Sequence, residues 1–132
     1  MARLTKAGKR GGFTLVELLL VLLLVALLAS IVGPTVTAGL QRSRESTLKH
    51  DLRVMRQALD DYYGDNGRYP AALDELVEKR YVRRVPLDPL TGRADTWVLT
   101  QSEEEGDNVS GVSDLHSGAE GQAIDGTNYK DW

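Results

Sequence analysis

The order of polar and apolar positions divides the chain into three stretches. Residues 1–12 are polar and basic, residues 18–41 contain 24 consecutive uncharged positions, and after Arg42 the apolar residues become sparse and regularly spaced. An uncharged run of that length exceeds the roughly 20 residues a helix needs to cross a hydrocarbon core of about 30 Å. Its Leu and Ala favour the helix, and a helix satisfies its own backbone groups, which is the condition for lying in lipid. A membrane-spanning helix is therefore predicted. Gly33 and Pro34 predict a kink or a locally melted turn within it, because the proline ring removes a donor and clashes with the preceding turn.

Beyond Arg42, the residues Leu48, Leu52, Met55, Leu59 and Tyr62 step by four, three, four and three, which is one face of a helix. Lys49, Asp51, Arg53, Arg56, Gln57 and Asp60 fill the intervals, so this helix is half solvated and presents its stripe to something else. The run is too short for a sustained coiled coil, and a sheet is the predicted partner. The helix is predicted to stop at Gly64 or Gly67, ahead of Pro70. Residues 13–63 would span about 76 Å as one helix at the standard rise. Leu73, Leu76, Val77 and Tyr81 predict a short second helix within 68–82, with Pro70 in its first turn. Pro86, Pro89 and Gly92 mark turns. Strands are predicted at 97–99 and 111–116, flanking an acidic loop at 102–108, with a third short strand at 129–132 or just before it. The expected fold class is α+β: a long N-terminal helix, half membrane and half amphipathic, packed on a small antiparallel sheet.

Charge and composition narrow the function. The 132 residues leave room for one small head beyond the membrane segment. The formal charge of −3 becomes −7 once Arg3, Lys6, Lys9 and Arg10 of the first twelve positions are set apart. An acidic body offers no footprint for nucleic acid. The absence of cysteine rules out disulfides and thiolate metal sites. Basic residues ahead of the apolar run place the N-terminus in the cytoplasm and the head across the membrane. An ordinary secretory signal carries its small-residue cleavage site after the apolar stretch. Here Gly11 and Gly12 come before it, so a cut after Gly12 would remove the charges and leave the apolar helix on the product. The expected division is a leader at 1–12, a membrane helix at 13–41 and an exported head at 42–132.

The string KRGGFTLVELLLVLLLVALLASIVGP resembles the class III signal of type IV pilins and type II secretion pseudopilins. The resemblance implies that a prepilin peptidase cuts after Gly12 and N-methylates Phe13, that Glu17 is the fifth mature residue, and that Pro34 is the helix-bending proline. A carboxylate deep in a bilayer costs about 2.5 kcal/mol or more, so Glu17 needs a partner or an interfacial position. The family supplies one in the Phe13 amine of a neighbouring subunit. The competing reading is a carboxylate favoured by the helix dipole and facing headgroups. Tyr69-Pro70, Pro86-Leu87-Asp88-Pro89, Trp97 and the ending GVSDLHSGAEGQAIDGTNYKDW resemble pseudopilins, and the major pseudopilin most. The function this implies is a structural subunit of a type II secretion pseudopilus in the bacterial inner membrane, assembling into a periplasmic filament that drives protein export. Its partners would be further copies of itself, minor pseudopilins, the peptidase/N-methyltransferase and an inner-membrane assembly platform. The alternative is a type IV pilus or competence-pilus subunit, against which the missing cysteines argue.

Candidate chemistry in the head is sparse. His50 and His116 are far apart in sequence, no catalytic triad or carboxylate pair stands out, and no enzyme is predicted. Asp107, Asn108, Asp114, Glu120, Asp125 and Asp131 fall in Gly-rich loops and offer the hard oxygen ligands that Ca2+ takes, about six to eight at a time. The family resemblance implies calcium in this region, with Asp114 and Asp125 as preferred ligands. The spacing reproduces neither an EF-hand nor clearly the family's own acidic loop, so solvated turn residues are the competing reading. No other cofactor is implied. Glu103, Glu104 and Glu105 read as a solvated loop tip or a docking patch; Lys79, Arg80, Arg83 and Arg84 read as helix-surface charge or as partners for a stacked head.

Overall fold

The computed structural model describes residues 12–102 and 111–132. In chain order the elements are α1 (Leu15–Asn66), α2 (Leu73–Glu78), β1 (Val98–Gln101), β2 (Val112–His116) and a 3-10 turn at Tyr129–Asp131. Two compact units divide at Ala38 and Gly39, and α1 contributes its first half to one and its second half to the other. The fold is α+β and pilin-like, as the pattern predicts.

In the first unit the helix persists through Pro34, so the expected local melting does not occur. Hydroxyl groups cluster around the proline. Ser30 Oγ donates to the Leu27 carbonyl at 2.7 Å, Thr35 Oγ1 to the Ile31 carbonyl at 3.1 Å and Thr37 Oγ1 to the Pro34 carbonyl at 3.0 Å. These bonds lie within the helix and go to other carbonyls than that of Ser30, the one from which Pro34 withdraws its helical donor.

The second unit is built on the stripe read from the sequence. Leu48, Leu52, Met55, Leu59 and Tyr62 are all buried, together with Leu76, Trp97, Val112, Leu115, Ala123 and Tyr129. α1 ends at Asn66, and Gly67 follows at φ +68° with its N–H on the Tyr63 carbonyl at 2.8 Å. That left-handed cap is the conformation glycine adopts without strain, and it decides between the two predicted glycine stops. α2 is shorter than the 68–82 window, and Pro70 lies outside it. The helix closes with a Schellman pair, Tyr81 N–H to the Leu76 carbonyl at 2.9 Å and Arg80 N–H to the Val77 carbonyl at 3.1 Å. The left-handed position of that motif is held by Arg80 at φ +64° rather than by glycine, which costs about 1 kcal/mol.

β1 and β2 pair antiparallel, with Val98 opposite His116 and Leu99 opposite Leu115, and the register slips between Thr100 and Gln101. The slip leaves Ser113 as an extra residue, so Val112 and Leu115 both face the core although three positions apart. The first strand begins one residue later than predicted. The third predicted strand, at 129–132, is a 3-10 turn instead. There Asp131 N–H bonds to the Asn128 carbonyl at 3.1 Å and Trp132 N–H to the Tyr129 carbonyl at 3.2 Å. Both bonds are local, whereas the stretch just before them, the other place predicted for this strand, forms an antiparallel bridge between Gln122 and Asn128, next to a Tyr129 N–H bond to the Gly121 carbonyl at 3.4 Å.

The Pro86-Leu87-Asp88-Pro89 loop is anchored by a buried carboxylate. Asp88 is fully buried and accepts from Ser117 Oγ at 2.5 Å and from the Leu90 N–H at 2.9 Å, the satisfaction a buried charge requires. Trp97 closes the same loop by donating its indole N–H to the Pro86 carbonyl at 2.9 Å. Gly118 passes so close to this region that a Cβ would lie 2.0 Å from the Thr96 carbonyl oxygen, and only glycine fits.

Glu75 of α2 ties the two helices of the head together. It accepts from the buried Tyr62 hydroxyl, from the Ala71 N–H at 2.7 Å and from Arg68 at 3.0 Å. The Tyr62 hydroxyl first, then the Ala71 N–H and Arg68, lower its carboxyl to about 2. A carboxyl lowered on folding stabilises the fold above its ordinary range, and that contribution fades as pH falls from about 4.5 towards 2. Head stability should therefore drop across that window, and Glu75→Gln should flatten the drop while costing about 1–2 kcal/mol at neutral pH. Thermal melts of both proteins between pH 2 and 7 measure this.

Candidate functional site

The N-terminal motif forms a helix cap. Thr14 Oγ1 accepts the Glu17 N–H at 3.2 Å, and the Thr14 carbonyl accepts the Leu18 N–H at 3.1 Å. Thr14 is thus the N-cap and Glu17 the third helical residue, the Thr-x-x-Glu order of a capping box. Gly12 and Phe13 precede the cap outside any regular element, and Phe13 is 82% exposed. A protease must hold its substrate extended, so the bond between them sits where a peptidase can reach it. Glu17 is placed one turn downstream, also exposed, where its charge favours the helix dipole. Cap and dipole give Glu17 a local role, and among the described residues its carboxylate has no ion-pair partner.

From Gly12 to Leu40 every residue is exposed. The best 18-residue window of α1 has a mean hydropathy of 3.0, with none of it buried. A continuous apolar surface of this extent leaves water only by entering lipid or packing on other chains. Pro34 lies within this segment, helical and exposed. Membrane anchoring follows from the helix itself.

The head brings several predicted residues to specific partners. Asp114 accepts from Arg56 Nε at 2.8 Å, and its second oxygen lies 3.6 Å from His116 Nε2. Asp125 accepts from the Thr127 N–H at 3.0 Å and the Thr127 hydroxyl at 2.6 Å. Those bonds first, with Lys49 nearby, hold its carboxyl below the usual range. Each of the two carboxylates proposed for calcium is thus engaged by its own partners and stands beside a basic side chain. Among the described residues no three acidic or histidine side chains gather as a metal site would need. His50 is exposed and lines a shallow groove of about 330 Å³ with Asp51, Val54, Arg83 and Arg84. Lys79, Arg80, Arg83 and Arg84 are exposed, and among the described residues none of them forms an ion pair. The leader up to Gly11, the acids at 103–105, Asp107 and Asn108 lie outside the described residues.

Sequence reasoning missed one group. Lys49 and Arg56 read as solvated polar positions, yet together with Glu45 they hold the C-terminal segment. Their spacing on one face of α1 was the available signal.

Comparison with known proteins agrees with this geometry. The prokaryotic N-terminal methylation motif matches residues 8–33, spanning the cap, Glu17 and the start of the apolar run. The type II secretion system core protein G of Escherichia coli strain K12 is 30% identical over 130 residues, covering 85% of this chain and 88% of that protein. That of Aeromonas hydrophila is 32% identical over 97 residues, covering 61% and 68%. That of Vibrio cholerae is 28% identical over 133 residues, covering 81% and 91%. No solved structure matches the chain. With its methylation motif, capped apolar helix and small α+β head, the chain belongs to the type II secretion system core protein G family, the major pseudopilins.

Proposed function

We propose that this pseudopilin is the repeating subunit of a secretion filament, processed at Gly12 and polymerised through its apolar helix. Prepilin peptidase releases the leader and methylates the amine of Phe13. The basic leader keeps the N-terminus on the cytoplasmic side, and the head folds in the periplasm. Copies then leave the bilayer by exchanging lipid contacts for contacts with one another. Glu17 meets the Phe13 amine of a neighbouring copy and fixes axial register, since an unpaired charge in an apolar core is expensive. Minor pseudopilins and an inner-membrane platform complete the machine. The protein acts by assembly rather than by catalysis.

The observation that carries the proposal is the exposed bond between Gly12 and Phe13, set directly before a capped helix with no buried residue in its apolar half. Nothing in the comparisons favours a pilus subunit. Deleting the chain from its host should stop export of the secreted enzymes while leaving surface pili and motility intact. Normal export with lost motility would indicate a pilus subunit instead.

A further inference from the structure

Gln41, Glu45, Lys49 and Arg56 follow one another at intervals of four, four and seven residues, so they line one face of α1 beside the buried stripe. Every one of them engages the last twenty residues or their neighbours. Glu45 Oε1 accepts from the Tyr129 hydroxyl at 2.8 Å and the Ile124 N–H at 2.9 Å. Gln41 Nε2 donates to the Tyr129 hydroxyl at 3.2 Å. Lys49 Nζ lies 4.5 Å from the centre of the Trp132 ring. Arg56 gathers three oxygens from two separate segments: Asp114 Oδ1 at 2.8 Å, the Leu115 carbonyl at 3.1 Å and the Trp132 carbonyl at 2.6 Å.

A carboxylate and two carbonyls converging on one positive centre is the donor set a hard divalent cation takes. Here a guanidinium already occupies the centre of that set. Its planar fork presents five N–H donors in fixed directions, enough to reach several acceptors at once. A second cation placed at Asp114 would meet Arg56 and His116, and one placed at Asp125 would meet Lys49. Asp114 and Asp125, the two carboxylates preferred for calcium, do not fit it in this arrangement.

We propose that Arg56 is the built-in cation of a C-terminal clasp, which holds the C-terminal segment without a divalent metal at Asp114 or Asp125. The seam on α1 does the fastening: the guanidinium at one end, Glu45 at the other, and Lys49 under the Trp132 ring between them. The inference concerns the head's own contacts and stands apart from the reading of export.

The test uses the full chain in detergent micelles, melted with excess chelator and with millimolar calcium. Tryptophan fluorescence is a direct readout, because Trp132 stacks edge-on against Tyr129 at 5.3 Å within the clasp. A specific ion at a hundred times its dissociation constant would raise Tm by more than about 10 °C in a head of this size. The expected shift is no more than about 1 °C. Arg56→Gln should lower Tm by about 5 °C or more in both buffers, and Arg56→Lys should recover only part of that loss. A wild-type Tm that rises in calcium and falls in chelator would overturn the proposal, as would an Arg56→Gln protein as stable as the wild type. The wild-type comparison decides the matter even if the variants do not fold.

Discussion

Replacing Gly12 with leucine should leave the protein folded and inserted but uncut. A side chain there meets nothing, since no atom lies within 4 Å of the position a Cβ would take. The effect is confined to the peptidase, whose pocket must accept the residue before the cut. Enzyme pockets reject a wrongly sized side chain by about a hundredfold, and processing should fall on that scale. The precursor, still carrying Arg3, Lys6, Lys9 and Arg10, cannot enter a filament, because those charges would be dragged into an apolar core. Membrane fractions probed by mass should show full-length chain in place of the mature form. Ordinary processing of this variant would place the cut elsewhere.

Glu17→Val should give the opposite separation, with processing intact and assembly lost. The substitution lies beyond the cleaved bond and keeps Thr14, so the cap survives in part; the lost carboxylate costs the isolated helix less than about 1 kcal/mol. In a filament the cost is larger. The Phe13 amine of the neighbouring subunit would be buried without a counter-charge, and breaking a buried pair by removing one member costs about 3–5 kcal/mol. Per contact that is a factor of a hundred or more, repeated along the polymer. Sheared fractions should hold almost no filament, and mixed expression with wild type should shorten what forms. Glu17→Gln separates the two roles, since it keeps a polar group at the helix start and removes the charge. Normal filaments from Glu17→Val would leave the carboxylate with only its part in starting the helix.

Much of this was legible in the sequence, for physical reasons that can be named. The stripe from Leu48 to Tyr62 could be read because helical periodicity and burial obey one geometry, and all five residues are buried. The apolar run could be read because lipid imposes length and composition together. At Pro34 the helix continues where local melting was one of the two expected outcomes; a proline removes a single backbone bond, and the turns on either side keep theirs. The segment 129–132 looked like a strand by its aromatics. It turns instead because the Asp131 and Trp132 N–H groups bond locally and the Tyr129 hydroxyl reaches Glu45, 84 positions away. Arg56 escaped for the same reason: its partners Asp114, Leu115 and Trp132 are 58 to 76 positions distant, and no local pattern announces them.

The most direct measurement is the N-terminal sequence and mass of the protein recovered from sheared filaments. They should begin at an N-methylated Phe13 and retain the whole apolar helix, which then forms the spine of the polymer. A product that starts beyond Val36, with the lipid-crossing segment discarded, would contradict the account.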